Sequence, residues 1–210
     1  MSPDEADRDA ALLRLAAATR DLVDAVVLTA AGEDDLTVSA KEVEGVTERL
    51  RQRLLEHPPR PDIGPDGRMR AMANPVIGEA NPLAPPLHVE STPDGTARAE
   101  FELGAAYEGP PDLVHGGVSA LILDHVLGSA GGAGGRPGMT GTLELRYRRP
   151  TPLHRPLVAR AWIAEVDGRK TTIRGEIARA DGRVCVEASG LFILPSFLAE
   201  QVEEAQRYRD

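Results

Sequence analysis

An apolar segment that contains one carboxylate and one imidazole, residues 113–130, constrains the fold of this chain most strongly. Its apolar residues recur at three- and four-residue spacings, which predicts a helix with a broad buried face. These residues are Val118, Leu121, Ile122, Val126 and Ala130, with Ala120, Leu123 and Leu127 on a second face. A helix that is apolar nearly all round must lie inside other structure, and a curved sheet is the expected wrapper. Asp124 and His125 interrupt it, and a carboxylate there is unfavourable unless it is paired or used.

Composition excludes several functional classes. The net charge of −9 and an aromatic content of 3% argue against a nucleic-acid binder, which needs a basic face and, for single strands, stacking platforms. Cys185 is the single cysteine, so no disulfide within the chain and no cysteine-based zinc site is expected. No phosphate loop or metal-ligand spacing occurs, and we expect no cofactor. The acidic N-terminus and the lack of a long apolar run predict a cytoplasmic protein with no membrane association.

The first part of the chain, residues 1–57, is predicted to be a helical arm. A capping box at residues 2–5 opens the first helix, which Gly32 and the acidic run 33–35 are expected to end. A second capping box at residues 39–42 predicts another helix, which Pro58 and Pro59 stop. We expect these helices to pack on each other or on the main domain; a regulatory or partner-binding role is the alternative.

A proline-rich segment, residues 58–86, follows the arm. Its Asn74-Pro75 and Asn81-Pro82 steps predict turns in an ordered, extended path. The apolar residues between them are typical of a segment that lies over a groove. We therefore expect a covering segment and not a free tether.

Residues 87–196 are predicted to form the main domain, and residues 197–210 a short polar helix or a tail. A hairpin around Asp94-Gly95 precedes the apolar helix. Four strand-like runs follow it, at 139–149, 157–166, 170–180 and 184–194, with Asp-Gly turns between the last three. Their tight spacing predicts an antiparallel meander of all four. Strict alternation in the first run places Thr140 and Thr142 on one side of the strand and Leu143 and Tyr147 on the other.

Several motifs of this domain resemble those of the hotdog-fold thioesterases, in the branch of PaaI-like and THEM-type proteins. The matching motifs lie between residues 81 and 195: Asn81–Pro86, Tyr107–Pro111, Val114–Val118, Leu123–His125 and Leu143–Leu153. The resemblance implies an α+β fold in which an antiparallel sheet wraps the central helix, here with an N-terminal helical extension. It also implies a homodimer or a dimer of dimers, with acyl-CoA bound between subunits and residues of both chains at each site.

The resemblance also assigns roles to individual residues. Asp124 matches the helix carboxylate that acts as nucleophile or as base for water, and Thr140 the hydroxyl residue that positions water or this carboxylate. His115, Gly116 and Gly117 match the turn whose backbone N–H groups polarise the thioester carbonyl. A helix N-terminus has unpaired N–H groups and partial positive charge, which would stabilise an oxyanion.

Further residues are candidates for substrate binding. They are Glu108, in the loop before the helix, Thr142, and the arginines Arg146, Arg148 and Arg149, whose guanidinium groups suit the phosphates of CoA. The sequence therefore predicts an acyl-CoA or acyl-carrier thioesterase. Two alternatives remain open: a non-catalytic acyl-CoA-binding or regulatory module, and a dehydratase or hydratase on the same fold. No Gly-x-Ser-x-Gly elbow surrounds Ser119, which argues against a serine hydrolase.

Overall fold

The structure is a computed structural model that describes residues 3–63 and 69–196. It divides into two compact units, Met1–Leu83 and Ala84–Asp210. The predicted C-terminal tail, residues 197–210, lies outside the described residues. Among the described helices, none combines the length and the apolar character that crossing a membrane requires.

The first unit consists of two helices and a short two-stranded sheet. Helix α1 spans Pro3–Leu28 and helix α2 spans Glu33–Arg51. Strands β1 (Asp62–Ile63) and β2 (Met69–Arg70) pair antiparallel. The Arg70 guanidinium lies 2.7 Å from the Asp62 carboxylate and 3.1 Å from that of Asp9, so that it joins this small sheet to α1.

The boundary between the two helices differs from the prediction. Helix α2 begins at Glu33 and already contains Ser39, so the acidic run at 33–35 starts a helix and does not end one. The physical reason is that carboxylates are favourable in a first turn, where the N-terminal end of the helix dipole is positive. Within the described residues, α1 and α2 have no extensive contact with each other, which leaves the main domain as the partner that the prediction allowed.

The proline-rich segment contains both predicted turns. The Asn74 side-chain oxygen accepts hydrogen bonds from the N–H groups of Val76 and Ile77, at 2.8 and 3.1 Å. The Asn81 side-chain oxygen accepts the Leu83 N–H at 3.0 Å, and its amide donates to the Ala73 carbonyl. These side chains replace missing backbone partners beside prolines, which explains an ordered path without regular structure.

The second unit is a six-stranded antiparallel sheet around one long helix, α3, which spans Gly116–Ala133. The strands are β3 (Val89–Thr92), β4 (Thr96–Phe101), β5 (Met139–Tyr147), β6 (Leu157–Asp167), β7 (Lys170–Arg179) and β8 (Val184–Ile193). Their order across the sheet is β3-β4-β6-β7-β8-β5. This architecture confirms the predicted α+β hotdog fold.

The predicted meander is correct for β6, β7 and β8 and wrong for β5. The turn glycines Gly95, Gly168 and Gly182 have positive φ values of 82°, 54° and 82°, as tight hairpins of this kind require. Strand β5 instead pairs with β8 at the far edge of the sheet. The segment 148–156 makes this possible, because it crosses beneath the start of α3, where the Val114 N–H donates to the Thr151 carbonyl at 2.9 Å.

Helix α3 packs directly on the middle of the sheet. Its buried residues include Ile122, Leu123, Val126, Leu127 and Ala130. A Cβ atom at Gly175 would lie 2.6 Å from Leu127 Cδ1, and one at Gly190 would lie 2.9 Å from Leu127 Cδ2. Only glycine permits this approach of helix and sheet, which fixes the depth of α3 and thereby the position of Asp124.

Candidate active site

The turn before α3 is held by its own hydrogen bonds. His115 is the N-cap residue, and its Nδ1 accepts the Gly117 N–H at 3.0 Å. A nitrogen that accepts must be unprotonated, so this contact assigns the proton of the neutral ring to Nε2. The Glu108 carboxylate accepts the Asp112 N–H at 2.7 Å and stabilises the loop, where Asp112 has a positive φ of 63°. His115 and Glu108 thus shape the start of the helix.

One backbone donor at this turn is left for a ligand. Within the described residues, no acceptor takes the N–H of Gly116, whereas the Gly117 N–H is taken by His115. The Tyr147 hydroxyl donates to the Gly116 carbonyl at 2.9 Å and orients this peptide from the sheet side. The role of Tyr147 was missed in the sequence, although its place on the same side as Leu143 and Leu145 was a usable signal.

Asp124 lies half-buried in the middle of α3 and has one hydrogen-bond partner among the described residues. The Thr140 hydroxyl donates to Asp124 Oδ1 at 2.8 Å. His125, the next residue, is largely buried; desolvation lowers its pKa, and the Asp124 carboxylate opposes this only in part. The site therefore contains a hydrogen-bonded carboxylate next to an imidazole that is neutral at pH 7.

A β-bulge brings Thr140 to Asp124. Thr140 pairs with Phe192 and Thr142 with Leu191, so that Gly141 is an extra residue in β5. The bulge reverses the alternation before it. Thr140 therefore lies on the helix side of the sheet and Thr142 on the other side, and the prediction that both face the same way is wrong.

A shallow cavity of about 450 Å³, wide open to solvent, adjoins this carboxylate. Its walls are Asp124, His125, Gly128, Ser129, Gly138, Met139, Thr140 and Phe192. Most of this lining comes from one face of α3 and from the start of β5, which is an exposed edge strand. Asp124 thus borders a largely uncharged cavity at the edge of the sheet.

The predicted arginines lie away from this cavity. Arg146 pairs with Glu187 in the sheet register, and Arg148 makes an ion pair of 2.9 Å with the same carboxylate. This row lies on the face of the sheet opposite to α3, and these contacts lower the pKa of Glu187. The Arg149 guanidinium donates to the Val184 carbonyl at 2.9 Å. Thr142, Arg146, Arg148 and Arg149 remain predictions as substrate-binding residues, without support from their positions.

Within one chain, the turn and the carboxylate are too far apart to act on one carbonyl group. Gly116 and Asp124 are eight residues apart on the same helix. At a rise of about 1.5 Å per residue they are separated by about 12 Å.

In the described part of the chain, no three His, Cys, Asp or Glu side chains are close enough to hold a metal ion.

Comparison with known proteins identifies relatives of this chain. The family model described as "Thioesterase superfamily" matches residues 112–186, which include the turn, Asp124 and Thr140. The acyl-coenzyme A thioesterases THEM4 of Bos taurus and Mus musculus are 34% and 33% identical over 94 residues, or 44% of this chain. The match spans only 38% and 40% of those two proteins.

A solved structure covers nearly the whole chain. The crystal structure of a thioesterase superfamily protein superimposes with a TM-score of 0.79 and 43% sequence identity, over 87% of this chain and 90% of that one. This likeness includes most of the N-terminal arm as well as the wrapped helix. Fold, motif positions and overall identity lead to one conclusion: the chain belongs to the thioesterase superfamily.

Proposed function

We propose that this protein is an acyl-CoA thioesterase in which Asp124 activates the attacking water. The observation that carries the proposal is the hydrogen bond of 2.8 Å from Thr140 to a half-buried carboxylate beside a cavity. Matched relatives are named as acyl-coenzyme A thioesterases, which supports the substrate class. The contact with Thr140 leaves Asp124 Oδ2 without a partner in the described residues, so that it is open to a water molecule.

The proposed reaction needs one base and one oxyanion donor. Water attacks the thioester carbon while its proton passes to Asp124, and the carbonyl oxygen becomes an oxyanion. The Gly116 N–H stabilises this oxyanion, to which the helix dipole contributes. The oxyanion then collapses to the carboxylic acid as the C–S bond breaks, and the thiolate takes up the proton from Asp124, which regenerates the base. Direct attack by Asp124, with a mixed anhydride that water hydrolyses, is the alternative route.

Two copies of the chain are required by this chemistry. Since Gly116 and Asp124 of one chain are about 12 Å apart, the donor and the base at one thioester must come from different copies. The exposed edge strand β5 supports an edge-to-edge pair, because its free backbone groups favour a further strand. We therefore propose a homodimer, or a dimer of dimers, with Asp124 of one copy facing Gly116 of the other.

Hydrolysis of a panel of acyl-CoA thioesters, followed by release of free thiol, tests this function. We expect turnover of at least one thioester and a loss of about 10²- to 10⁴-fold in kcat for Asp124→Asn, the size of a lost general base. Glu144→Gln is the matched control, because Glu144 is an exposed carboxylate on the outer face of β5.

Two results would contradict the proposal. Full activity of Asp124→Asn removes Asp124 from the chemistry. Tight binding of CoA esters without thiol release, across chain lengths, would identify the protein as a non-catalytic acyl-CoA-binding module.

A further inference from the structure

Helix α2 has no packed face. Every residue of Glu33–Arg51 is exposed except Thr47, which is half-exposed, and none is buried. A helix of this length without tertiary contacts is marginal in water, and Gly45 in its middle weakens it further. Helix stability in proteins comes mostly from packing of an apolar face. The stability of α2 therefore requires another surface that packs against its apolar face.

Four of the five large exposed apolar residues of α2 form a seam along one side of the helix, whereas Val38 lies on the other side. Leu36, Val43 and Leu50 recur every seven residues, and Val46 follows Val43 by three. These side chains are 47%, 41%, 48% and 40% exposed. Seven-residue recurrence with a three-residue step is the spacing with which two helices supercoil, and it differs from the random scatter of single exposed apolar residues. The seam thus suits a second helix.

The charges of α2 identify which helix fits. Its first turn contains Glu33, Asp34 and Asp35, and its last turn contains Arg49 and Arg51. None of these five side chains makes an ion pair with another described residue. A parallel copy would place acid beside acid and base beside base. An antiparallel copy places each acidic turn beside a basic turn, and opposes the two helix dipoles favourably.

We propose that α2 is an interaction surface for a second copy of this chain, and that two α2 helices pair antiparallel with Val43 at the centre. Leu36 of one copy then lies opposite Leu50 of the other, and Asp35 lies beside Arg49. The arrangement is self-complementary about a two-fold axis, as symmetric dimers require. It is independent of the proposed hydrolysis, since α2 contains none of the residues at the candidate active site.

Cysteine cross-linking in the full-length chain tests this pairing and its direction. Val43→Cys meets its own copy at the centre and is expected to form a disulfide-linked dimer on mild oxidation. Leu36→Cys alone is not, because the two copies of that residue would be separated by about 21 Å along the helix axis, well above the ~7 Å between Cα atoms that a disulfide tolerates. The natural Cys185 is buried, so we expect little background cross-linking through it.

Two controls complete the design. A mixture of Leu36→Cys and Leu50→Cys chains is expected to cross-link to each other, although neither does so alone. Lys41→Cys lies close to the centre but on the opposite face of α2, and is expected to stay unlinked. All variants are analysed on non-reducing gels, and loss of the dimer band on addition of a reductant verifies the disulfide.

Charge reversal is a second test that changes no apolar residue. In the Val43→Cys background, Asp35→Arg or Arg49→Asp is expected to lower the yield of linked dimer, and the two together to restore it. Absence of cross-linking at Val43, or equal self-linking at positions 36, 43 and 50, would overturn the proposal. Failure of the double charge exchange to restore the yield of linked dimer would also overturn it.

Discussion

Replacement of Thr140 by valine isolates the contribution of one hydroxyl to the candidate active site. Valine keeps the branched shape of threonine and a good strand preference, so the main loss is the hydrogen bond of 2.8 Å to Asp124. A hydrogen bond to a charged group contributes about 1.5–3 kcal/mol. If all of it acts in the transition state, kcat falls by about 10- to 150-fold. Thr140 is exposed in the single chain, which favours the lower end, about tenfold.

The matched control is Thr142→Val on the same strand. Thr142 is also exposed, but the bulge at Gly141 places it on the outer face. Thiol release from acyl-CoA should show a lower kcat with little change in KM for Thr140→Val, and no change in kcat for Thr142→Val, whose predicted role in substrate binding would change only KM. Equal losses in both variants would indicate a general effect on β5. An unchanged kcat in Thr140→Val would refute the argument that the hydroxyl positions the base.

Two further predictions concern packing and protonation. Gly175→Ala places a Cβ atom 2.6 Å from Leu127 and is expected to destabilise the protein by about 1–3 kcal/mol in urea unfolding, whereas Gly132→Ala meets nothing within 4 Å and should be neutral or slightly stabilising. Equal effects of the two would contradict the close packing of α3. His125 has a pKa lowered by burial, so the unfolded chain takes up its proton first, and stability is lost as the pH falls below the ordinary value of 6.5. His125→Gln should make the urea midpoint less dependent on pH below 6.5, and an NMR titration of the ring at or above 6.5 would disprove the lowered pKa.

The sequence was sufficient for local features of the fold. Asp-Gly pairs between alternating runs predicted the hairpins at Gly95, Gly168 and Gly182, because few other dipeptides adopt the required positive φ so easily. The apolar spacing of α3 predicted both the helix and its burial. Asp124 was identified for a physical reason as well as by resemblance, since a carboxylate in an apolar helix is expected to have a partner.

The remaining features depend on contacts between distant parts of the chain. Local alternation cannot show that β5 pairs with β8 and not with β6, because the segment 148–156 decides which edge the strand reaches. Nor could it show that Thr140 and Thr142 lie on opposite faces. Gly141 was the available signal, since glycine within a strand often marks a bulge. The predicted role of the arginines was based on charge alone, and charge does not indicate the face of a sheet.

The extra residue in β5 has a consequence for anyone who would transplant this site. In a regular strand, two positions separated by one residue share a face, so copying the threonine and the aspartate alone would aim the hydroxyl outward. Substitutions cannot correct this, because the residue would have the right chemistry but lie on the wrong face of the strand. Deleting Gly141 would instead remove the bulge and make Thr140 and Thr142 neighbours in a regular strand, where successive side chains point to opposite faces, so the hydroxyl would stay on the helix side. The number of residues in β5 must therefore agree with the presence or absence of the bulge, and this backbone geometry is as much a part of the constellation as the side chains.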